Sequence, residues 1–317
     1  MDAQSNLLEK RAGLKREYSF LKDLLRDKYL YLLLAPGLLY FLLFHYVPMY
    51  GLTIAFQKFN MFKGITGSEW VGLENFKELF TGLDFGQKFL NTLIISFLKL
   101  LFGFPAPIIL ALLLNELGHA HFKKFTQTVL YLPHFVSWVV LGGIMIAFLN
   151  GSDGVLNDII KLFGGTPVDF LADKAWIRST LVISEVYKSA GWGTVVYLAA
   201  ISTIDPQLYE AAIVDGAKKL QQMWYITLPS ISSVIVVLMI LSLGNILNAG
   251  FDQIFVLVQP IVYEKADIID YYVYRKGIQS ADYGLATAAG LFKSVIAFVL
   301  IVSVNKLAKL FDESALW

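Results

Sequence analysis

The chain has 317 residues, 56% of them hydrophobic and 16% charged, with a net charge of +1 and a mean hydropathy of +0.61. A soluble domain is about 45–50% apolar and about 25% charged, so the excess places this chain in the bilayer class, while a net charge near zero leaves no field to attract nucleic acid. With no cysteine in the chain, disulfides, thiolate-held zinc, iron–sulfur clusters and a thiol nucleophile are excluded.

Residues 1–28 form a basic tail carrying Lys10, Arg11, Lys15, Arg16, Lys22, Arg26 and Lys28. It is too long and too basic for a secretory signal and has no small-residue cleavage site behind it. Span 1 follows at Tyr29–Tyr50, and the cations before it predict a cytoplasmic N-terminus. The external stretch after it contains Trp70-Val71-Gly72-Leu73-Glu74-Asn75-Phe76, read as a short interfacial piece. Span 2 is Lys88–Leu114, with Pro105, Pro107 and Lys99 inside it; span 3 is Phe125–Leu149, with Pro133 and the small pair Gly142-Gly143. Prolines within a span need neighbouring helices to satisfy the carbonyls they free, and small pairs suit close helix packing.

Span 4, Trp176–Ile204, is the least apolar and holds Glu185 and Lys188. Span 5, Ser230–Val258, is interrupted by Asn245, Asn248, Gly250, Asp252 and Gln253, and span 6 is Tyr283–Leu307. Each is long enough to cross a hydrocarbon core of about 30 Å. The expected architecture is an all-α membrane protein of six transmembrane helices with both ends inside. Its parts are a cytoplasmic tail 1–28, a transmembrane domain 29–310 and a cytoplasmic tail 311–317.

Nothing in the chain demands catalysis. It has no G-x-x-x-x-G-K-[ST] phosphate loop, so it is not expected to bind and hydrolyse ATP by that route. His119 and His121 sit one residue apart without a carboxylate cluster, and His45 and His134 fall inside spans; no metal site and no Ser/His/Asp set is expected.

Between spans 4 and 5 lies a segment, residues 205–229, that is too polar for lipid. Pro206 suits a helix start, Gln207–Val214 reads as a short helix, Gly216 permits a sharp change of direction, and Ala217–Ile226 reads as a second helix ahead of Pro229. Small Ala211 and Ala212 allow another surface to approach closely. The segment is therefore read as a docking element at the cytoplasmic face.

Its pattern, E-A-A-x-x-x-G-x(9)-I-x-L-P, is matched at Glu210, Ala211, Ala212, Gly216, Ile226, Leu228 and Pro229. This resembles the signature of the membrane subunits of binding-protein-dependent ABC importers. The Trp70–Phe76 stretch is similar to that of sugar permeases of the maltose-transporter F-subunit type. The basic tail and Tyr46-Val47-Pro48-Met49-Tyr50-Gly51 resemble the LplB-type polysaccharide branch, which includes the alginate importer's membrane subunit. The resemblance implies a type I importer (MetI-like) transmembrane domain in the bacterial cytoplasmic membrane. It also implies a second homologous permease subunit, two cytoplasmic ATPases that bind ATP and Mg, and an extracytoplasmic solute-binding protein; this chain itself carries no cofactor. By the same resemblance Glu210 meets the ATPase, Gly216 allows the bend, and Asp215 matches a common residue before that glycine.

For the substrate, Asn245, Asn248 and Asp252 are spaced to share one helical face and resemble the family's sugar-lining stretch; the alternative is hydrogen bonding between helices. Tyr187, Lys188, Gly191, Trp192 and Thr194 of span 4 resemble its sugar-contacting part, since aromatic faces and hydrogen-bonding groups suit a sugar ring. Glu185 and Lys188 either pair with each other or face the pathway. Lys99, Lys188 and Lys293 would suit an acidic saccharide if they faced the cavity. The expected function is thus one half of a translocation pathway for an oligo- or polysaccharide, acidic in one version. The alternatives are a permease half for glycerol phosphate or a peptide, or a membrane-embedded sugar-modifying enzyme.

Overall fold

Apolar runs interrupted by proline and by short polar stretches give helices in the computed structural model, which describes residues 26–82 and 84–310. The basic tail (apart from residues 26–28) and the tail 311–317 lie outside the described residues. Two units make up the chain, Met1–Thr53 and Ile54–Trp317.

The first long helix, α1 (Lys28–Phe56), is 29 residues long. It is α-helical to Phe41, widens to a π turn over Leu42–Tyr46 and tightens to a 3-10 helix from Val47. Pro48 lacks a donor, and a helix absorbs that loss by such local changes of pitch.

In the second unit, strands β1 (Gln57–Lys58) and β2 (Glu69–Trp70) pair antiparallel. Helix α2 (Glu74–Thr81) follows. Asn75 ties this external piece together by donating to the carbonyls of Ala55 at 2.9 Å and Gln57 at 3.0 Å. Next come α3 (Phe85–Asn115), then α4 (Ala120–Phe135), α5 (Trp138–Leu149), α6 (Val155–Leu162) and α7 (Ile177–Ile201). After α7 the chain forms α8 (Pro206–Val214), α9 (Lys219–Ser230) and α10 (Ser232–Gly244). The last elements are α11 (Phe251–Leu257), α12 (Ile269–Tyr274) and α13 (Tyr283–Leu310).

By length and apolarity α1, α3 and α13 can each cross a membrane. Two bent pairs pass the same test together: α4 and α5 meet at 103°, α9 and α10 at 64°; of the second pair only α10 lies within the predicted span 5, which continues into α11. The 25-residue α7 has the length of a sixth span. It is less apolar because it carries charge into the middle of the bundle, where α3, α4 and α10 pack around it.

Span 3 was expected as one continuous helix and is not. Pro133 is buried, Val136 is extended, and the Ser137 hydroxyl caps α5 by accepting from the Val140 N–H at 3.3 Å. Three buried clusters hold the unit together, one of them around Leu79, Phe85, Ile269 and Leu285. Another joins Ile95, Leu181, Ile254, Leu257 and Ile268; the third joins Ala111, Leu112, Tyr197, Ile201 and Ile231.

Candidate functional site

The segment that carries the E-A-A pattern is built to hold a shape. Asp205 caps α8, its carboxylate accepting from the Gln207 N–H at 2.9 Å, and Pro206 occupies the first helical position. At the other end the Gly216 N–H reaches the Ile213 carbonyl at 3.0 Å and the Ala217 N–H reaches the Ala212 carbonyl at 2.8 Å. These two bonds are the paired closure of a Schellman motif, which needs a left-handed residue. Gly216 supplies it at φ +79°.

Lys218 then opens α9, with its N–H on the Gln221 side-chain oxygen at 2.7 Å. A π turn at Met223–Thr227 precedes Pro229. The two short helices are cross-tied where the Tyr209 hydroxyl meets the buried Thr227 hydroxyl at 2.9 Å. Lys219 pairs with Glu116, at the end of α3, at 2.7 Å.

Glu210, Ala211, Asp215, Gly216 and Pro229 are exposed; Ala212, Ile226 and Leu228 are half-buried. Around them Ile213, Val214, Leu220 and Tyr225 stand in the open, Val214 at 87%. An apolar patch rimmed by polar groups is what an interaction surface looks like.

Deeper in the bundle lies a cavity of about 610 Å3 lined by Lys99, Trp138, Glu185, Ser189, Asn245 and Asn248, among others. Lys99 reaches across from α3. Its ammonium lies 3.5 Å from the Glu185 carboxylate and donates to the Ala249 carbonyl at 2.6 Å and to the Gln253 side-chain oxygen. Gln253 is fully buried and turns its amide to the Leu181 carbonyl at 2.8 Å and the Ser184 hydroxyl at 2.6 Å. The break in span 5 is thereby stapled to α3 and α7.

The expectation for span 5 needs correction. Asn245, Asn248 and Asp252 do not share a helical face, because α10 ends at Gly244, Asn245 sits at its C-cap, and Gly250 at φ +88° precedes α11. Asn245 and Asn248 line the cavity; Asp252, in the first turn of α11, does not. Counting i, i+3, i+4 assumes one uninterrupted helix, and that assumption failed.

The reading of span 4 is also altered. Its cavity face is Glu185, Ser189, Gly193, Val196 and Tyr197, whereas Lys188, Gly191, Trp192 and Thr194 turn toward α4. The Lys188 ammonium donates to the carbonyls of Pro133 at 3.3 Å, His134 at 3.1 Å and Val136. Trp192 stacks on His134 at 5.0 Å. Gly191 lets the helices touch, since a Cβ there would overlap the Leu130 carbonyl. Thr194 is buried, bonds the Gly191 carbonyl at 2.7 Å and nears the Tyr131 hydroxyl. Tyr187 lines a separate apolar cavity of about 600 Å3 with Pro133, Met145 and Phe148.

Glu185 therefore pairs with Lys99 and not with Lys188, and Lys293 pairs with Asp270 at 2.6 Å. None of the three lysines offers a free charge to the cavity. Lys99, Ser189 and Gln253 carry no pattern that sequence reasoning could have used beyond their polarity inside spans. Among the described residues no group of three or more His, Asp or Glu side chains could hold a metal.

Residues 87–315 match the family described as binding-protein-dependent transport system inner membrane component. The chain is similar to the polygalacturonan/rhamnogalacturonan transport system permease protein YteP of Bacillus subtilis (strain 168), with 47% identity over 303 residues, 96% of this chain and 94% of YteP. Protein LplB of the same organism is 48% identical over 299 residues, 94% of each chain. Among solved structures, a chain of a bacterial ABC transporter involved in the import of the acidic polysaccharide alginate superposes with TM-score 0.85 at 43% identity, covering 92% of this chain and 98% of that one.

Proposed function

The chain belongs to the inner membrane components of binding-protein-dependent transport systems, and from that premise we propose that it is one half of the translocation pathway of an ATP-driven importer for an oligo- or polysaccharide. YteP, by its name, transports polygalacturonan and rhamnogalacturonan, and the alginate transporter has been crystallised with an alginate-loaded periplasmic protein. A second permease subunit completes the pathway, two cytoplasmic ATPases hold ATP and Mg, and an extracytoplasmic binding protein delivers the glycan.

The observation that carries this reading is the exposed, rigid pair α8–α9, with Glu210 and Ala211 on its surface and the Gly216 closure between its helices. A motor can move the pathway only through a part that transmits displacement without deforming. The Asp205 cap, the Schellman closure and the Tyr209–Thr227 bond supply that stiffness. Closure of the ATPases would then push α8 and α9, and the Lys219–Glu116 pair would pass the push to α3. Alternating access of this kind is a rigid re-packing of helices around a fixed site.

We assign ATPase contact to Glu210, Ala211, Ala212 and Asp215, the bend to Gly216, and the anchor of the second helix to Ile226, Leu228 and Pro229. We assign Asn245 and Asn248 to the sugar pathway, joined by Glu185, Ser189 and Lys99; Asp252, Lys188, Gly191, Trp192 and Thr194 serve the scaffold, and Tyr187 faces apolar surface. The experiment is uptake of labelled oligosaccharide by vesicles holding the whole complex. Glu210→Lys should abolish uptake while the complex still inserts and still binds loaded binding protein. Normal uptake by that variant would sink the coupling assignment.

A further inference from the structure

A second polar cavity lies in the external part of the unit, where the first turns of α3 meet residues 263–280. It measures about 530 Å3, and its wall includes Lys88, Tyr263, Asp267, Arg275, Lys276 and Gln279. The Arg275 guanidinium is held between two rings, 4.5 Å from the Tyr263 centroid and 5.1 Å from that of Tyr271, and it bonds the Asp267 carboxylate. Lys88, nearly buried, approaches the same carboxylate at 3.8 Å and lies over the Tyr272 ring at 5.3 Å. A guanidinium clamped in this way has little side-chain entropy left to lose, and its planar fork suits a carboxylate.

Two atoms of this wall have no partner in the fold. Asp267 is 2% exposed, yet its Oδ1 accepts nothing, and the buried Arg275 Nε donates to nothing. Each such atom costs about 1–3 kcal/mol if left unmatched; both are screened from solvent, so a ligand would reach them only if the wall shifted. The charges do not cancel either. Glu264 is taken up by Lys174 at 2.5 Å, leaving Asp84 and Asp267 against Lys88, Arg275 and Lys276. Lys276 has no ion-pair partner among the described residues. Burial also pushes the Asp267 carboxyl above the usual carboxylate range, against the pull of Arg275 and Lys88, and any proton it takes up adds to the positive excess.

We propose that this external cavity is a recognition site for a uronic-acid residue of the incoming saccharide, with Lys276 and the tyrosine-clamped Arg275 receiving its carboxylate, Gln279 its hydroxyls, and Tyr263 and Tyr272 its apolar ring face. The assignment rests on the saccharide reading above and adds where the charge of the substrate is read. In the central cavity Lys99 is neutralised by Glu185. A polyanion can leave a neutral interior, whereas a strongly cationic one would trap it; permeation needs binding weak enough for release.

The test is uptake by the complete reconstituted complex with its binding protein, using oligogalacturonates and alginate oligosaccharides, each beside its carboxyl methyl ester. Lys276→Gln should raise the half-saturating concentration for the acid forms by about two- to fivefold, the size of one exposed charge pair. It should leave the esters unchanged, and Lys276→Arg should restore the acid forms. Added salt should weaken acid uptake more in the wild type than in Lys276→Gln. An equal shift for acid and ester, or no shift for either, overturns the site while leaving the saccharide reading intact. Failure of the wild-type complex to take up either form of either glycan overturns the saccharide reading and this site with it.

Discussion

Lys188 sits in the middle of a span and spends its charge on backbone. Where α4 ends at the 103° bend, its last carbonyls lose their intrahelical partners, Pro133 keeping one bond from the Val136 N–H at 3.3 Å, and the ammonium covers the carbonyls of Pro133, His134 and, just past the helix, Val136. Lys99 also spends its charge on backbone, at the Ala249 carbonyl in the loop ahead of α11 rather than at a helix end. A cation at a helix C-terminus is favourable by its dipole, and in a water-poor interior a bond to a charged group is worth about 1.5–3 kcal/mol. Lys188→Met should therefore lower the thermal midpoint of the detergent-solubilised complex by several degrees, with Lys188→Arg intermediate. An unchanged midpoint for Lys188→Met would show that the carbonyls find other donors. Lysines inside spans are conspicuous in the sequence. Their partners are not, because those carbonyls lie 52 and more residues away along the chain.

At the scale of the element, the E-A-A segment was readable almost residue by residue. The capping Asp205, Pro206 and the left-handed Gly216 are local features, so neighbours in sequence suffice to specify them. A Cβ at Gly216 would meet no atom within 4 Å, so the cost of replacing it is purely that of the backbone, about 1–3 kcal/mol for a residue held in a sparsely populated region. Uptake should fall in the order Gly216, Gly216→Asn, Gly216→Ala, Gly216→Val, because Asn tolerates the left-handed region best and a β-branched residue least. Insertion of the complex, checked by membrane fractionation, should stay constant. An uptake order that followed side-chain volume regardless of backbone preference would point to a contact and not to the turn. The bent spans were less legible. Pro133 and Gly250 mark the breaks, but a proline or glycine alone does not say whether a span kinks, bends by a right angle or carries on.

For the molecule as a whole, the Lys99–Glu185 pair joins α3, α7 and the break between α10 and α11. Removing one partner of a buried pair typically costs about 3–5 kcal/mol; here Glu185 is 28% exposed and Lys99 keeps the Ala249 carbonyl and Gln253, so the single losses should fall below that range, and removing both should be milder still. Lys99→Met and Glu185→Leu should each reduce folded complex, and the double variant should recover much of it. The cycle, read from denaturation midpoints, should show a coupling above about 1 kcal/mol; strictly additive losses would mean that the two side chains stabilise separate parts of the bundle. If the double variant folds, its uptake of neutral esters also tells whether the pair is structural alone.

Composition and the apolar runs were enough for the class of the molecule and its six spans, since burial in lipid demands about 20 apolar residues wherever the chain crosses. The coupling segment was equally determined in advance, being specified by contacts within about 25 residues. The face that α7 turns to the cavity was not. Charged and small polar residues lie all around that helix, and only the approach of α4 assigns Lys188, Gly191, Trp192 and Thr194 to packing while leaving Glu185 and Ser189 for the cavity. The external cavity belongs with it: Lys88, Asp267 and Arg275 are up to 187 residues apart in the chain, and their meeting is a product of how α3 and the segment before α13 are brought together. Local chemistry writes helices, caps and turns into short stretches of sequence; pockets are made by elements distant along the chain, so only the assembled bundle decides which side chains share one.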